Sequence, residues 1–286
     1  MPTSRTSAQL PDGDLPLWKL YPLFFAAIYL SHLTLLRLPY FWDEAGYYIP
    51  AAWDFFRTGT LIPYTTASNA HPPIPSILLA AWWHLSGYVV SGTRTLICIV
   101  SAAALLGVYK LARNLASNTV AAVVTILTAI YPIWFAQSTL AHADIFAAAF
   151  SLWGLAAYLE PSPARASILR SRTHAAILFS LAALSKETAI VTPAALALWE
   201  VILWFQNRRE LGASKRHATW AAALFTPILP LMAWYAYHYH RTGFIFGNPE
   251  FLRYNATANF DLHRMALCLY HRFLHLTAHM NLFVPV

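Results

Sequence analysis

Apolar residues along this chain fall into long runs separated by short polar junctions. The first run occupies 17–38, after sixteen mostly polar residues that contain Pro2, Pro11 and Pro16. It has about the length a bilayer core requires. It lacks the short apolar region and small-residue cleavage site of a secretory leader, so it predicts an uncleaved signal anchor. Further runs cover 73–90, 95–109, 120–136, 145–159, 175–184, 189–205 and 219–237, and a weak one at 265–286 is broken by Arg272 and three histidines. Between the first two runs the pattern changes. After Asp43 and Glu44, the positions Tyr47, Tyr48, Ala51, Ala52 and Phe55 recur at helical spacing. This predicts an amphipathic helix lying on the membrane, kinked or begun late because of Pro50. No internal repeat is visible. The fold class that follows is all-α, a polytopic bundle with about seven to nine membrane-embedded helices.

Composition supports this picture. Of 286 residues, 58% are hydrophobic and only 11% are charged, and the mean hydropathy is +0.47. A soluble globular chain carries about 25% charged residues, so too few charges are present here to coat a soluble surface. The same figures exclude a disordered chain, a collagen and a disulfide scaffold. Cys98 lies inside an apolar run, so no disulfide with Cys268 is expected.

The net charge of +7 is read through where each charge sits, since loop Lys and Arg set membrane orientation. Nucleic acid is not an expected partner. Three basic loops belong inside: Lys110 with Arg113; Arg165, Arg170 and Arg172; and Arg208, Arg209, Lys215 and Arg216. Residues 1–16 then form a cytoplasmic tail, and 17–286 a single transmembrane module. Extracytoplasmic loops fall at 39–71 and 238–264. Parity requires that one of the runs 73–90 and 95–109 not cross. The choice falls on 73–90, which opens with His71-Pro72-Pro73 and carries Trp82, Trp83 and His84. It predicts a juxtamembrane or re-entrant helix, with Arg94 on the outer side.

This topology gathers the ionisable residues at one surface: Asp43, Glu44, Asp54, Arg57, His71, Asp144, Lys186 and Glu187. An ionisable group at a bilayer is costly and therefore a functional candidate. Each also has a structural reading. Asp43-Glu44 and Asp144 fit helix N-caps. His71 fits a turn before two prolines, and Lys186-Glu187 a local snorkelling pair. The functional readings are a general base at the lipid–water boundary for the acidic pair and phosphate contacts for Lys186 and His71. Asn255-Ala256-Thr257 has the form of a glycosylation sequon.

Taken in order, Asp43-Glu44 after a first span, His71-Pro72-Pro73, Asp144 heading a later span and Ser185-Lys186 between two apolar halves resemble the GT-C glycosyltransferases. The likeness is to the bacterial relatives of protein O-mannosyltransferases and lipid A aminoarabinose transferases, over roughly residues 17–260. The resemblance implies an inverting transferase that moves a sugar from a polyprenyl-phosphate donor to a hydroxyl on protein, lipid or glycan. It places the enzyme in a bacterial inner or plasma membrane, among membrane lipids, with its site on the extracytoplasmic face. Asp43 would be the catalytic base. Lys186, His71 and Arg57 would bind the donor phosphate. Glu44, Asp144 and Glu187 would position base or acceptor. A divalent metal is left open, with Asp43, Glu44 and Asp144 as candidate ligands. Members of that group run longer, so the chain looks C-terminally short.

Two other readings compete. A non-catalytic membrane protein, either a transporter subunit or a degenerate scaffold, would bury paired charges at mid-membrane. Pro193, Pro227 and Pro230 inside apolar runs keep that alternative open. A lipid-phosphate phosphatase or ligase would need a nucleophile or a denser basic cluster.

Overall fold

A computed structural model describes residues 16–161, 165–245, 247, 249–250, 253 and 261–277. The first fifteen residues of the expected tail, the sequon and much of the expected 238–264 loop lie outside the described residues. All regular structure among the described residues is helical. In chain order the α-helices are α1 Leu17–Ser31, α2 Ile49–Thr58, α3 Ile74–Ser86, α4 Val90–Leu115, α5 Asn118–Ile130, α6 Pro132–Gln137, α7 Ala143–Tyr158, α8 Arg165–Ala183, α9 Val191–Gln206, α10 Leu211–Phe225, α11 Ile228–Thr242 and α12 Leu262–Thr277.

Among the described residues three helical units are long and apolar enough to cross a membrane: α4, the unit Glu187–Gln206 and the unit Leu211–Thr242. Helices α1, α3, α5 and α7 are apolar but shorter. α3 has 13 residues and rises about 20 Å, less than a hydrocarbon core.

Four boundaries differ from the expected runs, and three of them have a local cause. The first run ends its helix at Ser31, because the buried His32 ring lies 2.8 Å from both Ile28 O and Phe135 O and turns the chain. The run 120–136 breaks at Tyr131, held extended by the following Pro132. The run 219–237 divides into α10 and α11 at Thr226–Pro227, where proline supplies no N–H. α11 then continues to Thr242, past the expected start of the loop at 238.

α4 is the central post. It packs against α1, α3, α5 and α7. On one side Ile28 and Leu36 meet Cys98, Ala102 and Leu105. On the other, Ile49, Ala52, Leu79, Trp83, Ile97, Ile145 and Phe146 join α2, α3, α4 and α7 in one cluster. That cluster fixes α2 over the end of the bundle. A second layer, α8 with α9 and α10, closes around Ala175, Phe179, Ala197 and Leu224. Gly154 lets α7 meet α8 closely, since a Cβ there would come 2.9 Å from the Phe179 ring. Outward faces remain apolar: Val123, Ile126 and Leu127 on α5, and Leu198, Trp199 and Phe205 on α9, are exposed, as a lipid-facing surface requires. Cys98 is buried and Cys268 exposed, and both are free.

Candidate functional site

The expected amphipathic helix is present, and it begins late. A π-helical turn spans Glu44–Tyr48, and α2 proper starts at Ile49 with Pro50 in its first turn, where the missing N–H costs nothing. Tyr47, Tyr48, Ala51 and Ala52 are buried beneath it. Gly59, at φ +73°, ends α2 in the left-handed conformation. Asp54 ties the following loop down, accepting from the Tyr64 and Thr65 N–H groups at 2.8 and 3.0 Å. Among the described residues only two non-glycines have positive φ, Trp42 at +52° and Ala70 at +56°. Each immediately precedes a candidate residue, Asp43 and His71. Such conformations cost about 1–2 kcal/mol and persist where surrounding structure imposes them. Around Ala70 the restraint comes from α11. Trp234 Nε1–H donates to Ala70 O at 2.9 Å, and Ser68 Oγ lies 2.6 Å from His238 Nε2.

Glu44 is fully enclosed, with 0% exposure. Arg94 Nη2 stands 3.2 Å from its Oε2, and the Ala141 N–H donates to its Oε1 at 2.7 Å. The same guanidinium donates to Leu38 O, Pro39 O and Thr139 O. One buried ion pair thus pins three segments, the exit from α1, the π turn and the 137–142 loop. Nothing in the sequence paired Arg94 with Glu44.

Beside this brace lies a polar cluster built from four segments. Lys186 Nζ meets Asp144 Oδ1 at 2.5 Å, with the two side chains 30% and 51% exposed. His71 Nδ1 lies 3.5 Å from Glu187 Oε2. The His71 ring packs on Tyr47 and Tyr48, and Tyr48 also faces His142. The His71-Pro72-Pro73 and Ser185-Lys186 segments are tied directly, because Ile74 N–H donates to Leu184 O at 3.1 Å. Burial pushes the Tyr48 phenol above its ordinary range, and the charges of Asp144, Glu187 and Asp43 push it further. Tyr47 is raised first by burial and then by Glu187. Asp43 therefore shares the electrostatic neighbourhood of the cluster while its own side chain is exposed. Both phenols stay neutral donors at ordinary pH.

Of the seven candidates, the structure brings His71, Asp144, Lys186 and Glu187 together, with Asp43 at the edge and Glu44 sealed beneath. Asp43 and Asp144 do not act as caps: the N-cap of the Glu44 turn makes no side-chain bond, and His142, not Asp144, is the N-cap residue of α7. Arg57 is not brought in. It lies over the Trp53 ring, 5.5 Å from its centroid, about 13 Å along α2 from Tyr48. Tyr48 and His142 were missed, since neither stands out in the chain. The three carboxylates proposed for a metal do not form a ligand set. Glu44 is spent on Arg94 and Ala141, and Asp144 is held by Lys186. Among the described residues no group of three or more His, Cys, Asp or Glu is arranged to hold a metal.

The architecture is a helical bundle with a surface helix and an ionisable cluster at one end. Comparison agrees at the level of fold. ArnT from Cupriavidus metallidurans, solved bound to undecaprenyl phosphate, superposes with a TM-score of 0.62 at 17% identity, over 85% of this chain and 44% of that one. The chain thus spans less than half the length of that relative. No curated protein sequence matches. The profile of dolichyl-phosphate-mannose-protein mannosyltransferases matches residues 70–234, more than half of the chain, and the chain belongs to that family. The matched stretch contains His71, Asp144, Lys186 and Glu187, but not Asp43.

Proposed function

We propose that the protein transfers a sugar from a polyprenyl-phosphate donor to an acceptor hydroxyl, with inversion, at the end of the bundle that carries the cluster. The basic loops favour an orientation with that end outside the cytoplasm, and the resemblance to bacterial relatives favours a bacterial inner or plasma membrane. The observation that carries the reading is the partly exposed Lys186, held by Asp144 beside His71. It offers positive charge at the lipid–water boundary where a leaving phosphate would sit.

In the reaction, an acceptor oxygen attacks the anomeric carbon from the face opposite the phosphate. The bond from that carbon to the phosphate oxygen breaks, and its electron pair leaves with the polyprenyl phosphate. The acceptor's proton passes to the Asp43 carboxylate, the exposed acid at the cluster's edge. Lys186 and His71 meet the charge that develops on the phosphate. Asp144 orients Lys186, Glu187 orients His71, and Glu44 with Arg94 holds the Asp43 turn. Arg57 is left out because it packs on Trp53, and no step runs through a metal.

The test is transfer from a labelled polyprenyl-phosphate sugar by membranes holding the wild type or Lys186→Ala. Loss of one charge-assisted bond to phosphate should raise KM for the donor by about 10–100-fold. Equal KM values would remove Lys186 from the donor site.

A further inference from the structure

A second polar site lies at the opposite end of the bundle, and the proposed reaction does not use it. Glu200 sits 13 residues beyond Glu187 in the same helical unit, about 20 Å away along its axis. There α7, α8, α9 and α10 enclose a cavity of about 270 Å³, with Tyr158, Ser171, Glu200, Arg216, His217 and Trp220 among its walls.

The acids at this cavity are already satisfied from within. Glu200 Oε1 accepts from the Tyr158 hydroxyl at 2.6 Å, and its Oε2 lies 2.7 Å from His217 Nδ1. Glu160 takes Lys110 at 3.3 Å and the Ser171 hydroxyl at 3.2 Å. The arginines are not satisfied in this way. Arg172 lies over the Trp220 ring, 5.6 Å from its centroid, and donates from Nη2 to Arg216 O at 3.3 Å. Its Nε is buried with no hydrogen-bond partner. Among the described residues neither Arg172 nor Arg216 has a carboxylate partner within ion-pair distance.

Arg216 in the cavity wall and Arg172 stacked on the wall residue Trp220, with one buried unused donor, lie beside carboxylates that already hold hydrogen-bond partners, and together they make a site for a phosphate group. Guanidinium forks match phosphate oxygens in pairs. The surroundings point to the source. Leu169, one turn before Arg172 on α8, is 66% exposed, and Trp220 is of the type that sits at the headgroup level. We propose that this pocket binds the phosphodiester headgroup of an anionic phospholipid, with the acyl chains lying along the apolar face of α8. The basic loops that orient the chain place this end in the cytoplasmic leaflet, where such lipids attract basic pockets between helices. The inference does not rest on the transferase reading.

The full chain in detergent should bind phosphatidylglycerol about 30-fold more tightly than phosphatidylcholine, as two arginines at the headgroup provide. The preference should vanish in Arg172→Gln/Arg216→Gln and survive in Arg208→Gln/Arg209→Gln, which removes the same charge outside the cavity. A photoactivatable phosphatidylglycerol should label wild-type peptides containing Arg172 or Trp220, a readout that needs no variant to fold. Displacement by millimolar inorganic phosphate would show that the pocket takes the free anion as well. The proposal is overturned if the wild type does not discriminate between the lipids, if both double variants lose the preference equally, or if labelling maps elsewhere.

Discussion

At the scale of single residues, the Arg94–Glu44 pair carries the heaviest structural demand. Both side chains are enclosed, at 1% and 0% exposure, so removing one partner strands a buried charge. Glu44→Gln or Arg94→Met should each cost about 3–5 kcal/mol, and Arg94→Met/Glu44→Leu should recover part of that loss. Thermal unfolding of the four purified proteins checks this, and additive losses in the double variant would contradict the buried pair. The phenols make a second prediction. Tyr47 and Tyr48 have folded pKa values above the ordinary tyrosine value. They therefore favour the fold fully below about pH 10, and that contribution fades as pH rises through the folded values. In a spectrophotometric alkaline titration, Tyr47→Phe and Tyr48→Phe should each remove one phenol from the late-ionising group. His71, Asp144, Lys186 and Glu187 were legible because an ionisable residue at the end of an apolar run needs a reason. Arg94 sat in an equally telling place, four residues into α4, but its partner lies fifty positions earlier and no local spacing reveals such a contact.

At the scale of elements, the amphipathic pattern after Glu44 located α2, while Pro50 left a kink or a late start open, and the late start is the one observed. The π turn was not legible, because five residues have no period of their own. The boundaries at Ser31, Tyr131 and Thr226 were blurred for a common reason. Hydropathy runs continue across a break that a proline or one buried histidine produces. The short loop before α3 illustrates what tertiary contacts add. Ala70 holds φ +56° because Trp234 and His238 on α11 clasp the loop. Ala70→Gly should fold at or above the wild-type midpoint. Ala70→Val, β-branched in a left-handed position, should lose about 1–2 kcal/mol. Equal midpoints for the two variants would show that the loop can relax and that His71 is not presented by a strained backbone.

At the scale of the whole molecule, the bundle separates two polar ends by an apolar middle. One end carries Asp43, His71, Asp144 and Lys186 under α2; the other carries Glu200, His217, Arg172 and Arg216. This distribution argues against a transport path, which would place its charges at mid-membrane. It suits a reaction between a lipid-borne donor and an acceptor at one surface. The most direct test of that account is the steady-state rate of sugar transfer from a polyprenyl-phosphate donor by membranes holding the wild type or Asp43→Asn. The account predicts that kcat falls by about 100-fold or more when the base is lost, while KM for the donor stays close to wild type because Lys186 and His71 remain. An unchanged kcat in Asp43→Asn would contradict it, and so would the absence of transfer by the wild type.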